Sequence, residues 1–183
     1  PVFDQPINDM KIDGFLPVII NVTPITLNLP ILSEATKEEK GEKSLYLMDW
    51  DGGGMKKTSL RANILLSLRW SRDGSKLIYS AERHRQWGIY LLDFKKMSEK
   101  KLFSSRGTNI AGDFSPDGNN VLMSSSRDGK PELYSMDIKG DNVIKLSSSH
   151  GIEVSPSVSP DGKQIVFVSD RGGNPQLYTM KGD

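Results

Sequence analysis

The sequence predicts an all-β fold, a β-propeller of four-stranded blades with a 44-residue repeat. An Asp-Gly segment recurs at this interval, as Trp70–Gly74, Phe114–Gly118 and Val158–Gly162. Three further columns keep the same spacing. Their members are Tyr46, Tyr90, Tyr134 and Tyr178; Arg83, Arg127 and Arg171; and Met48, Leu92, Met136 and Met180. A fixed period of about 40–45 residues is typical of propeller blades, each of four antiparallel strands.

Each repeat contains signals for four strands. The Asp-Gly pair predicts a tight turn, because Asp bonds nearby backbone N–H groups and Gly adopts positive φ. These structural turn residues are Asp73, Gly74, Asp117, Gly118, Asp161 and Gly162. The apolar run after each turn is continuous, as expected of a strand covered on both faces. A polar hairpin, a third strand and a shorter fourth strand follow, the fourth over 100–103 and 143–146. No segment has helical apolar spacing, so we expect essentially no helix in residues 44–183.

The first 43 residues form a separate, unassigned N-terminal segment. Ile25–Leu32 could supply one strand of a partial first blade whose third strand is Leu45–Asp49, with an enlarged hairpin between them. Val22–Leu32 could equally be an extended linker. The chain begins at Pro1, without an initiator Met or a basic leader, so we expect a mature or truncated product.

Composition excludes several classes of function. The 24 Lys and Arg nearly balance the 23 Asp and Glu, so no overall field favours nucleic acid or an anionic membrane. The absence of cysteine excludes disulfides, thiolate zinc sites and a cysteine nucleophile. The most apolar stretch, Phe15–Leu32, contains three prolines, which argues against a membrane-inserted helix.

No catalytic or cofactor motif is present. The chain has no G-x-S-x-G elbow, no P-loop and no H-E-x-x-H pair. Asp49–Gly54 superficially resembles a calcium loop, but Gly53 and Leu60 stand where ligands belong. Asp73, Asp117 and Asp161 recur in every repeat, which favours a turn role over a metal or catalytic one. We therefore expect no enzyme activity, no metal and no cofactor. The arginine column is expected to pair with Glu82, Asp128 and Asp170.

The repeat resembles the propeller of the TolB family. The resemblance is carried by the S-P-D-G turn, the hairpin Ser169–Gly172 and the strand Leu177–Met180, and it covers about residues 44–183. It implies a periplasmic protein of the Tol-Pal system that binds a peptidoglycan-associated lipoprotein, in envelope integrity or Tol-dependent protein transport. A TolB-like ring has six blades after a small α/β domain. Here about three to four blades are present and residues 1–43 do not match that domain. We therefore expect a fragment, or open blade faces that self-associate.

The resemblance also implies a partner-binding site just before the innermost strands. The matching positions are Ser67, Asn109, Ile110, Ala111, Glu153, Val154 and Ser155. His150 breaks the repeat in the loop that enters an innermost strand, where propellers bind partners. Trp87 is a further candidate, because it occupies a column filled elsewhere by Pro131 and Pro175 and because exposed aromatics are common binding hot spots.

Three alternatives remain open at the level of sequence. The chain could be the propeller of a prolyl-oligopeptidase-like peptidase whose catalytic domain is absent. It could be a propeller enzyme, for which only His150 and Glu153 offer non-repeating groups near the inner strands. It could also be a sensor or surface protein of no assigned class.

Overall fold

The computed structural model describes residues 31–33, 43–48, 54 and 56–182. These residues contain no helix and form fourteen strands. The strands are β1 (Ile31–Ser33), β2 (Lys43–Met48), β3 (Lys56–Ala62), β4 (Ile64–Trp70), β5 (Lys76–Arg83), β6 (Gln86–Asp93), β7 (Ser98–Ser104), β8 (Asn109–Phe114), β9 (Asn120–Ser125), β10 (Glu132–Asp137), β11 (Ile144–Lys145), β12 (Glu153–Val158), β13 (Gln164–Ser169) and β14 (Gln176–Lys181).

The chain divides into two compact units, residues 1–61 and 62–183. In the first unit, β1, β2 and β3 form a three-stranded sheet in that order, and β1 pairs antiparallel with β2. Most of the sequence-predicted strand Ile25–Leu32 and the Asp49–Gly53 part of the calcium-like loop lie outside the described residues.

The second unit contains three antiparallel sheets that follow the 44-residue repeat. Their orders are β4-β5-β6-β7, β8-β9-β10-β11 and β12-β13-β14. The predicted all-β fold of repeated four-stranded blades is therefore confirmed, although the sheets do not close into a ring. The fourth strands differ in length from the prediction, since β7 is longer and β11 has only two residues.

Neighbouring sheets of the second unit pack face to face. A buried apolar cluster joins the first two of them; its members are Ile78, Ile89, Leu91, Leu102, Ala111, Phe114, Val121, Met123, Tyr134 and Met136. The innermost strands β4, β8 and β12 lie side by side. Between two of them, the Asp113 carboxylate accepts hydrogen bonds from Ser157 Oγ at 2.9 Å and Val158 N at 3.1 Å. Apolar burial and these inter-sheet bonds together fix the blade spacing.

The sheet β12-β13-β14 leaves apolar side chains exposed where its neighbours bury them. Leu177 is 75% exposed, whereas Ile89 and Leu133, at the same repeat position, are fully buried. Val166 is 37% exposed, against 5% for Leu122. This side of the sheet, called the open face below, is therefore an uncovered blade surface among the described residues.

Candidate functional site

The alternating strand directions place two sets of loops at opposite ends of the second unit. We call one set the loop end; it comprises residues 84–85, 105–108, 126–131, 146–152 and 170–175. We call the other set the turn end; it comprises residues 71–75, 94–97, 115–119, 138–143 and 159–163. Every loop that enters an innermost strand from a preceding sheet of this unit belongs to the loop end.

The Asp-Gly segments form the turn end with the same geometry three times. In the first, Gly74 N donates to Ser71 O at 2.9 Å, and Gly74 has a φ of 65°. Asp73 accepts hydrogen bonds from Ser71 Oγ at 2.7 Å and from Ser75 N at 3.1 Å. The equivalent carboxylates Asp117 and Asp161 accept the same kinds of bond, from Ser115 and Ser159 and from the backbone two residues on. The hydrogen-bond partners of these carboxylates among the described residues all lie in their own turns, and Asp73 has in addition an exposed ion pair with Lys95 at 3.7 Å, so the geometry is that of a turn.

These hydrogen bonds make the stability of the turns depend on pH. Hydrogen bonds from the side chains of Ser75 and Ser71 lower the pKa of Asp73. The largest cause of the lowered pKa of Asp117 and of Asp161 is likewise a hydrogen bond from a serine side chain, Ser115 and Ser159 respectively. A lowered folded-state pKa contributes stability that is complete above the unfolded pKa of about 4 and is lost as pH falls through the folded value.

We expect Asp73→Asn to reduce the loss of stability below about pH 4, measured by urea unfolding at each pH. The triple Asn variant should flatten the profile further, and an unchanged acid slope in the triple variant would contradict the assignment.

Asn109, one of the expected partner-binding residues, is a buried hub of the loop end. Its side chain is fully buried and uses all four of its hydrogen-bonding positions. Nδ2 donates to Trp87 O at 3.2 Å and Ser105 O at 2.9 Å, while Oδ1 accepts from Ser105 Oγ at 2.8 Å and Ser125 Oγ at 2.7 Å. These bonds tie three chain segments together. The Asn109 side chain therefore has no capacity left for a partner.

We expect Asn109→Ala to lower the free energy of unfolding by about 1–3 kcal/mol, because it leaves the carbonyls of Trp87 and Ser105 without this donor. Denaturant unfolding measures the effect, and faster amide exchange in residues 104–108 should accompany it. Asn63→Ala is the matched control, since Asn63 is exposed and precedes β4. Equal effects of the two substitutions would show that Asn109 is not a hub.

The remaining positions carried over by resemblance lie inside the innermost strands, not before them. Pairing with the second strand extends each inner strand further than the sequence indicated, to Ile64, Asn109 and Glu153. Each inner strand has a β-bulge at the same repeat position. The affected residues include Ser67 and Ser155, with φ of 52° and 55°.

The exposure of the residues near these bulges differs among the three strands. Ser155 is exposed, while Ser67, Ile110 and Val154 are half-buried. Ala111 is buried and donates its N–H to Ser80 Oγ at 2.7 Å. Of these residues, Ser155 offers the most accessible side chain.

Glu153 is fully buried and forms an ion pair with Arg171. Its Oε2 has no hydrogen-bond partner among the described residues. The Arg171 guanidinium also lies over the rings of Phe167 and Tyr178, 5.1 and 4.7 Å from their centroids. Glu153 therefore anchors an arginine within the blade and is not open to a partner.

The arginine column stacks on the tyrosine column, which the sequence did not indicate. Arg83 lies 4.3 Å from the centre of the Tyr90 ring and pairs with Glu99 at 2.7 Å, not with Glu82. Arg171 likewise pairs with Glu153, not with Asp170. The expected pairing with the neighbouring acid was wrong at these two positions, because stacking directs each guanidinium along the face of the sheet.

The third arginine does pair as expected. Arg127 Nε lies 3.6 Å from Asp128 Oδ1. The other carboxylate oxygen of Asp128 accepts a hydrogen bond from the Tyr134 hydroxyl at 2.8 Å. Burial, with this bond, raises the pKa of Tyr134.

His150 and Trp87 occupy different positions at the loop end. His150 is exposed, in the loop between β11 and β12. Trp87 is half-buried, and its carbonyl accepts bonds from Asn109 Nδ2 and from Ser104 Oγ at 2.9 Å. His150 is thus accessible to a partner, whereas Trp87 helps to hold two loops together.

Two exposed arginines at the loop end were missed. Arg106 occupies the same repeat column as His150, and Arg85 occupies a column filled by Gly129 and Gly173. Arg85 has a φ of 63°, a region that favours glycine. A large cationic residue in a glycine column was the signal in the sequence that could have identified it.

The described residues contain no group of three or more His, Cys, Asp or Glu side chains that could hold a metal ion. Among the described residues there is also no helix long and apolar enough to cross a membrane.

The chain is similar to known β-propeller proteins. The profile of the TolB beta propeller domain matches residues 31–183. A TolB structure from Acinetobacter baumannii is 33% identical, with a TM-score of 0.70 over 77% of this chain and 36% of that chain. A TolB structure from Agrobacterium tumefaciens is 26% identical, with a TM-score of 0.71 over 83% of this chain and 57% of that chain. The chain thus spans about half, or less, of the length of these structures.

More distant similarity extends to enzymes. A puromycin hydrolase structure has a TM-score of 0.66 at 14% identity, over 82% of this chain and 27% of that chain, a likeness that shows the fold alone. None of the curated proteins matches the sequence significantly.

Proposed function

Since the chain belongs to the TolB β-propeller domain family, we propose that it is a periplasmic protein-binding scaffold whose loop end binds a peptidoglycan-associated lipoprotein. In this role it would serve envelope integrity or Tol-dependent transport. The periplasmic location and the lipoprotein partner are carried over from the family, and the proposal assigns no chemical step to the chain.

One observation carries the choice of surface: the loop end combines accessible side chains with a rigid support. The hydrogen bond between Asn109 and the Trp87 carbonyl holds the neighbouring loops in place. Ser126 Oγ also accepts a hydrogen bond from Thr108 N at 2.9 Å, which joins two loops. At the same end, His150 is exposed and Ile152 is 45% exposed. A preorganised surface loses less entropy on binding than a mobile one. The turn end, in contrast, uses its repeating carboxylates within its own turns.

The test is a binding measurement with a purified peptidoglycan-associated lipoprotein lacking its lipid. We expect His150→Ala combined with Ser155→Tyr to weaken binding at least ~10-fold, since both side chains are exposed at or near the loop end and one well-packed contact is worth about 1–2 kcal/mol. Lys163→Ala at the turn end is the control and should change affinity less than ~2-fold. The absence of binding by the unmodified protein would overturn the partner assignment.

The peptidase-propeller reading is the alternative. Its support is the fold similarity to puromycin hydrolase, at 14% identity. The TolB structure from Acinetobacter baumannii reaches 33% identity at a higher TM-score, so we prefer the scaffold role.

A further inference from the structure

We propose that Arg85 and Arg106 form a cationic recognition surface at the loop end that binds a protein segment bearing clustered carboxylates. The inference deepens the proposed function and rests on it, because it states the chemistry of the partner at the same end of the molecule.

The first support is the charge of the exposed residues. At the loop end, as described, the exposed charged residues are Arg85, Arg106, Arg127, Arg171 and Asp128. At the turn end they are Arg72, Lys95, Lys96, Lys139 and Lys163, with Asp73, Asp117, Asp141 and Asp161. The turn end is thus nearly balanced, whereas the loop end has one exposed carboxylate against four exposed guanidinium groups. A chain with almost no net charge therefore presents one clearly positive end.

The second support is that two of these guanidinium groups are free. Arg127 and Arg171 lie on aromatic rings and contact carboxylates. No hydrogen bond, ion pair or ring contact engages the Arg85 or Arg106 side chain within the described part of the chain. Both groups are therefore available to an external carboxylate, with which guanidinium forms paired hydrogen bonds.

The two free arginines stand on loops that are bonded to each other. Arg85 is two residues from Trp87, whose carbonyl accepts bonds from Ser104 Oγ and Asn109 Nδ2. Arg106 lies between these two donors in the chain. These bonds hold the two cationic side chains at the same end of the blade, on the loops that follow β5 and β7.

The backbone at Arg85 is a third, independent observation. His84 and Arg85 both adopt positive φ, of 53° and 63°, in a two-residue hairpin. The equivalent hairpins place Gly129 and Gly173 at the Arg85 position. A two-residue hairpin with positive φ at both residues is a type I′ turn, in which glycine or asparagine is the usual residue. The arginine at position 85 is therefore unusual for this turn, and it places a cationic side chain at the tip of the hairpin.

A protein partner fits these features better than a nucleic acid. The exposed Asp128 would repel a phosphate backbone, and no Phe, Tyr or Trp is exposed among the described loop-end residues to stack on a base. The exposed Ile152 adds an apolar contact of the kind found in protein interfaces.

The test uses fluorescence anisotropy with a labelled octaglutamate peptide, an octaglutamine peptide and an eight-nucleotide single strand as probes. The main variant is Arg85→Gly with Arg106→Gln. It restores the residue that the repeat prefers at position 85 and should fold normally. The control is Arg72→Gln with Lys163→Gln, which removes two charges from the turn end. Thermal unfolding verifies that both variants are folded.

We expect octaglutamate to bind at least ~10-fold more tightly than octaglutamine, and the loop-end variant to lose this preference while the control retains it. Equal binding of the two peptides, equal effects of the two variants, or tighter binding of the oligonucleotide would overturn the inference.

Lipoprotein binding is measured in the same variants. If the lipoprotein binds and the loop-end variant does not weaken it, this inference fails and the proposed function stands. If the unmodified protein does not bind the lipoprotein, the proposed function fails, and the peptide comparison still decides the charge chemistry.

Discussion

Replacing Arg171 by methionine is expected to lower the free energy of unfolding by about 3 kcal/mol, because it leaves the fully buried Glu153 carboxylate without its ion-pair partner. The value is at the lower end for a broken buried pair, since the Arg171 side chain remains 34% exposed. Denaturant unfolding measures it. The substitution also removes the stacking of the guanidinium on Phe167 and Tyr178, which stabilises less at an exposed edge than a buried cation–π contact does.

The repeat itself supplies the compensating change. Leu65 occupies the column of Glu153 in the first sheet of the second unit and is fully buried. Adding Glu153→Leu to Arg171→Met should therefore recover most of the lost stability, because an apolar residue at this position needs no ionic partner. A double variant as unstable as the single one would show that the ion pair is not the cause.

Replacing Leu133 by alanine is expected to cost about 2–5 kcal/mol, whereas the same change at Leu177 should cost less than about 0.5 kcal/mol. The two residues occupy one repeat column, but Leu133 is fully buried and Leu177 is 75% exposed on the open face. Denaturant unfolding of both variants gives the comparison.

Light scattering of the unmodified protein and of the Leu177→Ala variant tests whether the open face self-associates. If the unmodified protein is a dimer or larger assembly and Leu177→Ala dissociates it, the open face is a contact surface between copies. A large loss of stability at Leu177 in a monomer would contradict the open face itself.

The fold could be predicted because its signals are local and repeated. Each Asp-Gly turn is closed by a carboxylate and a serine within a few residues, so the turn does not depend on distant parts of the chain. The continuous apolar strands after the turns indicated burial on both faces, as the adjacent residues Leu77 and Ile78, both fully buried, show. Repetition at one period then fixed which segments are equivalent.

The candidate site was harder to predict, because burial there depends on contacts between loops. Asn109 and Glu153 are polar and lie near loops, so their sequence context indicated exposure. Asn109 is buried because three segments close around it, and Glu153 because Arg171 reaches it from the loop that follows β13. The exposed arginines were detectable only by comparing columns, since Arg85 replaces a glycine. His150 also breaks the repeat and is exposed, and its role in binding stays a prediction.

The most direct test of the binding role is hydrogen exchange with and without a bound peptidoglycan-associated lipoprotein. If the loop end is the binding surface, amide protection will increase in residues 84–87, 104–109, 126–131 and 146–153, and will not change in the Asp-Gly turns. Protection concentrated in residues 71–75, 115–119 and 159–163, with the loop end unchanged, would contradict it.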